Sequence, residues 1–483
     1  MQKLIKFFRK NIFVLAILLL SVPSFYRALQ FGIHSMQDFH LFRLYEFDKC
    51  VKVLQIPCRW APDAGLGYGE PLFNFYGQLP YAFGELLHLT GISFIDSLKI
   101  LFVLSLAGSG ISMFFLARRL WKNDWAAVIA SMMYIYAPYR AVDVWVRGAL
   151  PEALSFVIFP LIILAIEKRN LLGFGLLTSA LILSHNLSAL MFLPVMAIWI
   201  FYRRFWKAIP AGTLAIGVSA FYILPVIFES KFINLASTTQ EYFDFRAHFL
   251  TLKQIFLNFF WGYGGSTWGD GDGLNLSVGL VQWALPVAVL VLTVWQKKLK
   301  ENKIFSVLLA LGIFYLFLTH NKSTFIWESL PFMAFIQFPW RFLGVAVFCL
   351  ALASGFIANL ISRKLIPIVL PVIILILLAL NFSFFREDIW YRVDDSYFTT
   401  GAEWDRQRTA SIGDFWPDFG HEIPDKPSDG KYINYFPGWI GAEPDENGLI
   451  PAEGTTLTDT PVRRIGNIIS LVCTLLFLFL LLR

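Results

Sequence analysis

"EKRNLLGFGLLTSALILSHNLSALMFLPVMAIWIFYRRFWK", Glu167 to Lys207, decides the fold class. Basic clusters, "EKRN" and "YRRFWK", close both ends, and the stretch between them is apolar apart from a few hydroxyls and the break "SHN". Lysine and arginine collect on the cytoplasmic side of a membrane. Both ends then lie on that side, and the stretch from Leu171 to Tyr202 must go out and return with "SHN" at its turn. A chain that does this is a polytopic membrane protein.

Composition agrees. The 483 residues are 57% hydrophobic and 15% charged, with a mean hydropathy of +0.60. A soluble domain carries roughly 25% charged residues. Apolar runs of roughly 17–25 residues, long enough to span hydrocarbon as helices, recur along the chain. The net charge of +6 sits in short clusters between these runs, so no nucleic-acid partner is indicated. The start, "MQKLIKFFRKNIFVLAILLL", has the basic head and apolar body of a secretory signal. No small-x-small cleavage site follows in "SVPSFYRALQ", so it reads as a retained anchor held inside by Lys3, Lys6, Arg9 and Lys10.

Following the charges gives spans near 11–29, 96–117, 125–138, 150–166, two within 171–202, then 208–228, 276–295, 304–319, 342–361, 365–382 and 465–482. About twelve crossings result, with both termini cytoplasmic. The fold class expected is an all-α polytopic membrane protein in the plasma membrane, with a small β-containing segment outside. The division expected is a membrane module over 1–382, an outer segment over 383–464 and a final helix over 465–483.

Cytoplasmic loops are short, whereas three long connections, 30–95, 229–275 and 383–464, fall outside. Loops beyond about 12–15 residues are usually functional or disordered. These are rich in Trp, Tyr and Phe, which argues against disorder. The first opens with "QDFHLFRLYEFDKC", Gln37 to Cys50. Asp38, Tyr45, Lys49 and Lys52 share one helical face, and Leu44, Phe47, Val51 and Leu54 the other. That spacing predicts a helix lying in the membrane interface with its polar face to water. Asp38 stands where a carboxylate is unfavourable, close to hydrocarbon. A functional acid and a solvated one are the two readings; Glu46 and Asp48 lie further along, away from the span's exit, where a carboxylate can be merely solvated.

An acid shortly after the first span, an interfacial helix and then "GYGEPLFNFYGQLPY" resemble the GT-C glycosyltransferases. Within that superfamily the chain resembles the YfhO-like membrane proteins, nearest the group labelled 6-pyruvoyl-tetrahydropterin-synthase-related. "VRGALPEALSFVIFPL", "LSHNLSALMFLP", "IQFPWRFLGVA" and "INYFPGWIGAEPDENGLIPAEG" carry the resemblance along nearly the whole chain, in order. It implies an inverting transfer of a sugar from a polyprenyl-phosphate donor to a glycan, lipid or protein acceptor on the outer face. Asp38 holds the position of the family's first-loop acid and would be the general base.

The leaving phosphate needs positive charge or donors near the membrane surface. Candidates are Arg59, Arg147, His185 and Arg341. His40, Trp60 and Tyr68, together with Glu152, Asn186, Gln337 and Trp340, are the candidates for substrate contact. Each has a plainer reading. Arg147 and Glu152, flanking "GALP", can simply pair; His185 and Asn186 can serve a hydrogen-bonded helix break; Arg341 can be an interfacial anchor. "GDGDG", 269–273, offers paired acids but between glycines reads as a turn. No zinc-spaced His/Cys cluster exists; no cofactor is implied with certainty, and a divalent metal is left open. Cys50 and Cys58 share the first outer loop, and a disulfide and two free thiols fit equally. The outer tail, 386–464, reads as a small unit of turns and short strand pieces such as "KYINYF", shortened relative to the β-rich outer domain of the YfhO-like proteins. A polytopic lipid or saccharide transporter, or flippase, is the rival reading. The broken "SHN" segment favours it, and the lack of any repeat between the halves opposes it.

Overall fold

The computed structural model describes residues 2–481 apart from 270, 300–301, 410–414, 420–423 and 425, and side chains over 11–480 apart from 236. The side chains of the basic head (Lys3, Lys6, Arg9 and Lys10), Asp270 of "GDGDG", two residues of "QKKLKENK", part of "WPDFGHEIPDKPSDG" and the end of the last expected span lie outside these.

The chain is mostly helical. Among the described residues seven helices are long and apolar enough to cross a membrane: Asn11–Leu29, Phe94–Trp121, Leu150–Glu167, Asn186–Arg203, Pro339–Leu360, Ile366–Phe384 and Pro461–Leu480. The expected count of about twelve is therefore not met by length. The other five segments are helices that are shorter or bent. Ala208–Val218 and Ala220–Phe228 meet at 71°, and Asp124–Ile135, Leu171–Ser184, Leu280–Trp295 and Lys303–Leu318 are shorter than a span requires. The shortening has visible causes. His185 breaks one run, and Tyr136–Ala137 before Pro138 closes another, since the residue preceding a proline avoids the helical region.

Burial sorts the long helices. Pro339–Leu360 is buried over 94% of its apolar window and stands at the centre, whereas Pro461–Leu480 is buried over 22%. The difference is legible in "LGVAVFCLALAS", apolar all round and rich in small residues that let neighbours approach. On the peripheral helix Ile468, Leu471 and Leu475 remain more than half exposed, the surface a lipid-facing helix presents.

On the side of the first loop the long connections form one hydrogen-bonded layer. Ile33–His34 pairs antiparallel with Trp390–Tyr391. Tyr432–Asn434 pairs with Leu449–Pro451, and Trp439–Ile440 with Thr456–Leu457. Backbone bonds from Ser428 to Leu66 and from Asn434 to Tyr68 tie the tail to the first loop. Cys50 and Cys58 are joined by a disulfide.

The helix read from "QDFHLFRLYEFDKC" is present as Phe39–Lys52, but its setting differs from the expected one. Of its polar residues only Lys52 is exposed to water. Glu46 is 0% exposed and Asp48 1%, because Leu79–His88 packs against one flank and Gly401–Arg408 against another. Trp404 of the latter rests on Phe42 and Tyr45, with ring centroids 5.5 and 5.4 Å away. The polar residues pair instead of being solvated: Lys49 with Glu46 and Asp63, and Lys52 with Asp48.

Candidate functional site

Three distant pieces of chain carry polar groups into one cavity of about 640 Å3: the turn before Leu150–Glu167, the break at His185 and the segment around Arg341. Each is placed by a local irregularity. Arg147 follows a π-helical turn, Val142–Val146, and precedes Gly148, at φ 57°. A Cβ on Gly148 would lie 1.9 Å from Met36 O, so glycine lets this turn seat against the start of the first loop. Pro151 in the first helical turn then places Glu152 at the cavity wall.

Charge is distributed unevenly around it. Arg140 donates to Asp143 Oδ2 at 3.3 Å, and Arg147 to Asp143 Oδ1 at 3.1 Å and Glu152 Oε2 at 2.7 Å. Tyr139 donates its hydroxyl to Glu152 Oε1 at 2.5 Å. Two arginines thus meet two carboxylates, and the plainer reading of the Arg147–Glu152 pair is met as well. Arg341 is different. Its Nη1 donates to Ile336 O at 2.7 Å and Gln337 Oε1 at 3.1 Å, its Nε is buried without a partner, and no acid pairs with it among the described residues. The cavity is therefore lined by a guanidinium with no ion-pair partner among the described residues, a group whose geometry suits a phosphate.

His185, extended at φ −152°, ends Leu171–Ser184 and begins Asn186–Arg203; its Nδ1 bonds Ser188 Oγ at 2.7 Å. A Cβ on Gly77 would fall 2.1 Å from Ser184 O, so the loop from "FNFYGQLP" presses directly on this break. Gln337, at φ 65°, donates to Thr238 O at 2.7 Å. Trp340 lies outside the cavity, under Arg147, whose guanidinium is 4.8 Å from its ring centroid, and donates to Ser266 Oγ. His40 lines the cavity with both ring nitrogens engaged, by Tyr81 OH at 2.7 Å and Gly148 O at 2.6 Å. Burial lowers its pKa well below the ordinary histidine value, which keeps it neutral.

Of the residues singled out from the sequence, His40, Arg147, Glu152, His185, Asn186, Gln337 and Arg341 meet around this cavity. Arg59, Trp60 and Tyr68 do not. Arg59 bonds Phe221 O and Asn467 Oδ1 of the last helix, and where the first loop meets the tail Trp60 packs edge-on to Trp439 and Tyr68 lies by Trp416. Arg59 follows the Cys50–Cys58 bridge directly, and its bonds hold it against Phe221 and the last helix instead.

Asp38 stands at the margin. The next two residues, Phe39 and His40, line the cavity, while its own Oδ2 accepts from Arg406 Nη2 at 2.6 Å. Burial pushes the Asp38 carboxyl up to about 6, against the pull of the Arg406 guanidinium. Arg406, half exposed and also paired with Glu403, was not singled out. Only folding brings it to Asp38 from 368 residues away. Tyr139 and Asp143 were also missed, although the spacing of Arg140, Asp143 and Arg147 (i, i+3 and i, i+4) is a legible charge ladder. Among the described residues no group of three or more His, Cys, Asp or Glu side chains could hold a metal ion. Asp272 of "GDGDG" accepts from Gln254 Nε2 and Thr267 N, as a turn residue does.

No family model and no curated protein matches the chain. Among solved structures it is similar to the arabinofuranosyltransferase AftD from Mycobacteria, with 14% identity and a TM-score of 0.49 over 82% of this chain and 28% of that one. A mutant of the same enzyme gives 14% identity and 0.48 over 82% and 29%. The chain spans less than a third of the length of that enzyme.

Proposed function

We propose that the chain is a membrane glycosyltransferase of GT-C type, moving a sugar from a polyprenyl-phosphate donor to an acceptor outside the cytoplasm. The observation that carries this reading is the cavity itself. It joins Arg341, which has no ion-pair partner among the described residues, to the Arg147–Glu152 pair and to His185, and has at its margin a carboxylate of raised pKa. Arg341 takes the donor phosphate, with Arg147 and His185 beside it. Their charge and donors offset the negative charge that grows on the leaving phosphate.

Asp38 is the general base. An attacking hydroxyl needs a proton acceptor, and a carboxyl titrating near 6 is ionised at neutral pH yet more basic than an exposed aspartate. Arg406 must leave Asp38 for an acceptor to reach it, which its exposed side chain permits. Attack from the face opposite the phosphate inverts the anomeric carbon. Glu152 is the poorer base, since Tyr139 and Arg147 already occupy both its oxygens.

The test is release of label from radiolabelled polyprenyl-phosphate sugars by the purified protein. A second reading, a lipid or saccharide transporter, draws on the break at His185 and the 71° bend after Val218. It predicts movement of the intact donor across vesicles with no loss of label from the lipid.

A further inference from the structure

A second cavity, of about 220 Å3, shares no lining residue with the first. Its polar wall is Arg59 and Arg463, 3% and 1% exposed. Arg59 donates to Phe221 O at 2.8 Å, Asn74 Oδ1 at 3.3 Å and Asn467 Oδ1 at 2.9 Å, and Arg463 Nε to Glu229 Oε2 at 2.9 Å. These bonds leave Arg59 Nε and Arg463 Nη2 buried with no partner among the described residues. A buried charged donor without an acceptor is costly, so such a pair calls for an oxygen-rich group. Burial and the neighbouring Arg463 charge push the Arg59 guanidinium down to about 10, a strain that an anion between them relieves.

Two acids face the arginines. Glu229 is held by Arg463 and by the Thr460 hydroxyl. Asp459 accepts from Asn467 Nδ2 through Oδ2 at 2.8 Å, and its Oδ1 has no hydrogen bond among the described residues. The two arginines and two acids are thus neutral in sum, and both guanidiniums and the Asp459 carboxylate line one small space. That pattern fits a phosphate bearing an amine better than it fits a bare anion.

The rim is apolar. Leu54 and Ile56 are 82% and 73% exposed, and the adjacent Val53 is 74% exposed. Leu54 is held at φ 57°, a conformation that residues other than glycine rarely adopt. Arg463 lies in the first turn of Pro461–Leu480, so this apolar tip stands where a span begins. Side chains clustered in this way at a span's mouth enter lipid. We propose that the cavity binds the headgroup of an aminophospholipid, its phosphate on Arg59 and Arg463, its ammonium on Asp459, and its acyl chains leaving past Leu54 and Ile56.

The experiment titrates full-length protein in detergent with phosphatidylethanolamine and reads binding by native mass spectrometry. Phosphatidylglycerol, glycerophosphoethanolamine and inorganic phosphate are the separate arms. Phosphatidylethanolamine should bind about fivefold more tightly than phosphatidylglycerol, the yield of one partly exposed ion pair. Asp459→Asn should erase that preference. Leu54→Ser combined with Ile56→Ser should weaken the lipid and leave glycerophosphoethanolamine unchanged. Arg59→Gln removes a buried guanidinium and can unfold the region, so these surface variants decide the matter. Equal binding of the two phospholipids, inorganic phosphate binding as tightly as phosphatidylethanolamine, or an unchanged preference in Asp459→Asn would overturn the proposal.

Discussion

Asp38 and Arg406 set a pH dependence whose sign follows from their contact. The base must be ionised to accept a proton, so turnover should fall as pH drops through about 6. Arg406→Gln removes the charge that holds the carboxyl down, leaves burial unopposed, and should move this acid limb to higher pH. A limb that stays in place in Arg406→Gln would mean that another group titrates. Arg341 gives a second prediction. Arg341→Ala should weaken donor binding or turnover by roughly tenfold or more, the scale of one lost charge-assisted bond, and Arg341→Lys should restore only part of it. Lysine keeps the charge without the planar two-pronged geometry; full activity in the alanine variant would leave Arg341 an anchor. At this scale position was legible: an acid beside a span exit and an arginine in "QFPWRFL" stand out because polar groups near hydrocarbon need a reason. Their partners were not. Arg406 sits in "EWDRQR", which reads as a solvated charge run until the tail folds back onto the first loop.

Phe39–Lys52 shows how an element can be read correctly and set wrongly. Helical spacing fixed its existence, but a polar face looks the same whether water or a second layer of paired charges covers it. Lys49 and Lys52 meet Glu46, Asp63 and Asp48, and the tail helix supplies the lid. The break at His185 was legible because "SHN" interrupts an otherwise apolar run; that it borders a cavity depends on Gly77, which no local pattern reveals. Gly77→Ala should therefore disturb the half-helix junction. We expect a loss of about 1–3 kcal/mol, typical of overpacking, seen as a lower unfolding temperature in detergent together with weaker donor binding. A variant as stable and active as the wild type would show that the loop and the break can separate freely.

The charges of the whole molecule predict its orientation, and the proposed placement of the site outside rests on that prediction. With impermeant maleimide on intact cells, Trp268→Cys and Asp429→Cys should label and Lys297→Cys should not; all three positions are exposed. Labelling at Lys297→Cys would invert the topology and put the cavity on the cytoplasmic side. Membrane class and the order of the helices were legible because every apolar run and basic cluster is local. Their lengths were less so: five of the twelve expected runs fall short, one through a bend, one at a proline-bounded end and one at the His185 break. The separation of Arg59 from the main cavity was hidden as well, being a matter of packing after the Cys50–Cys58 bridge.

If a sugar leaves a polyprenyl phosphate with Asp38 as the base, single-turnover release of label from that donor will show it. Wild-type protein should release labelled sugar to an acceptor. Asp38→Asn should bind the donor normally and turn over roughly 10²-fold more slowly or worse, the loss expected for a general base, while Glu46→Gln does far less. Asp38→Asn within a few-fold of wild type, or wild-type protein that binds the donor and never releases label, would contradict the account.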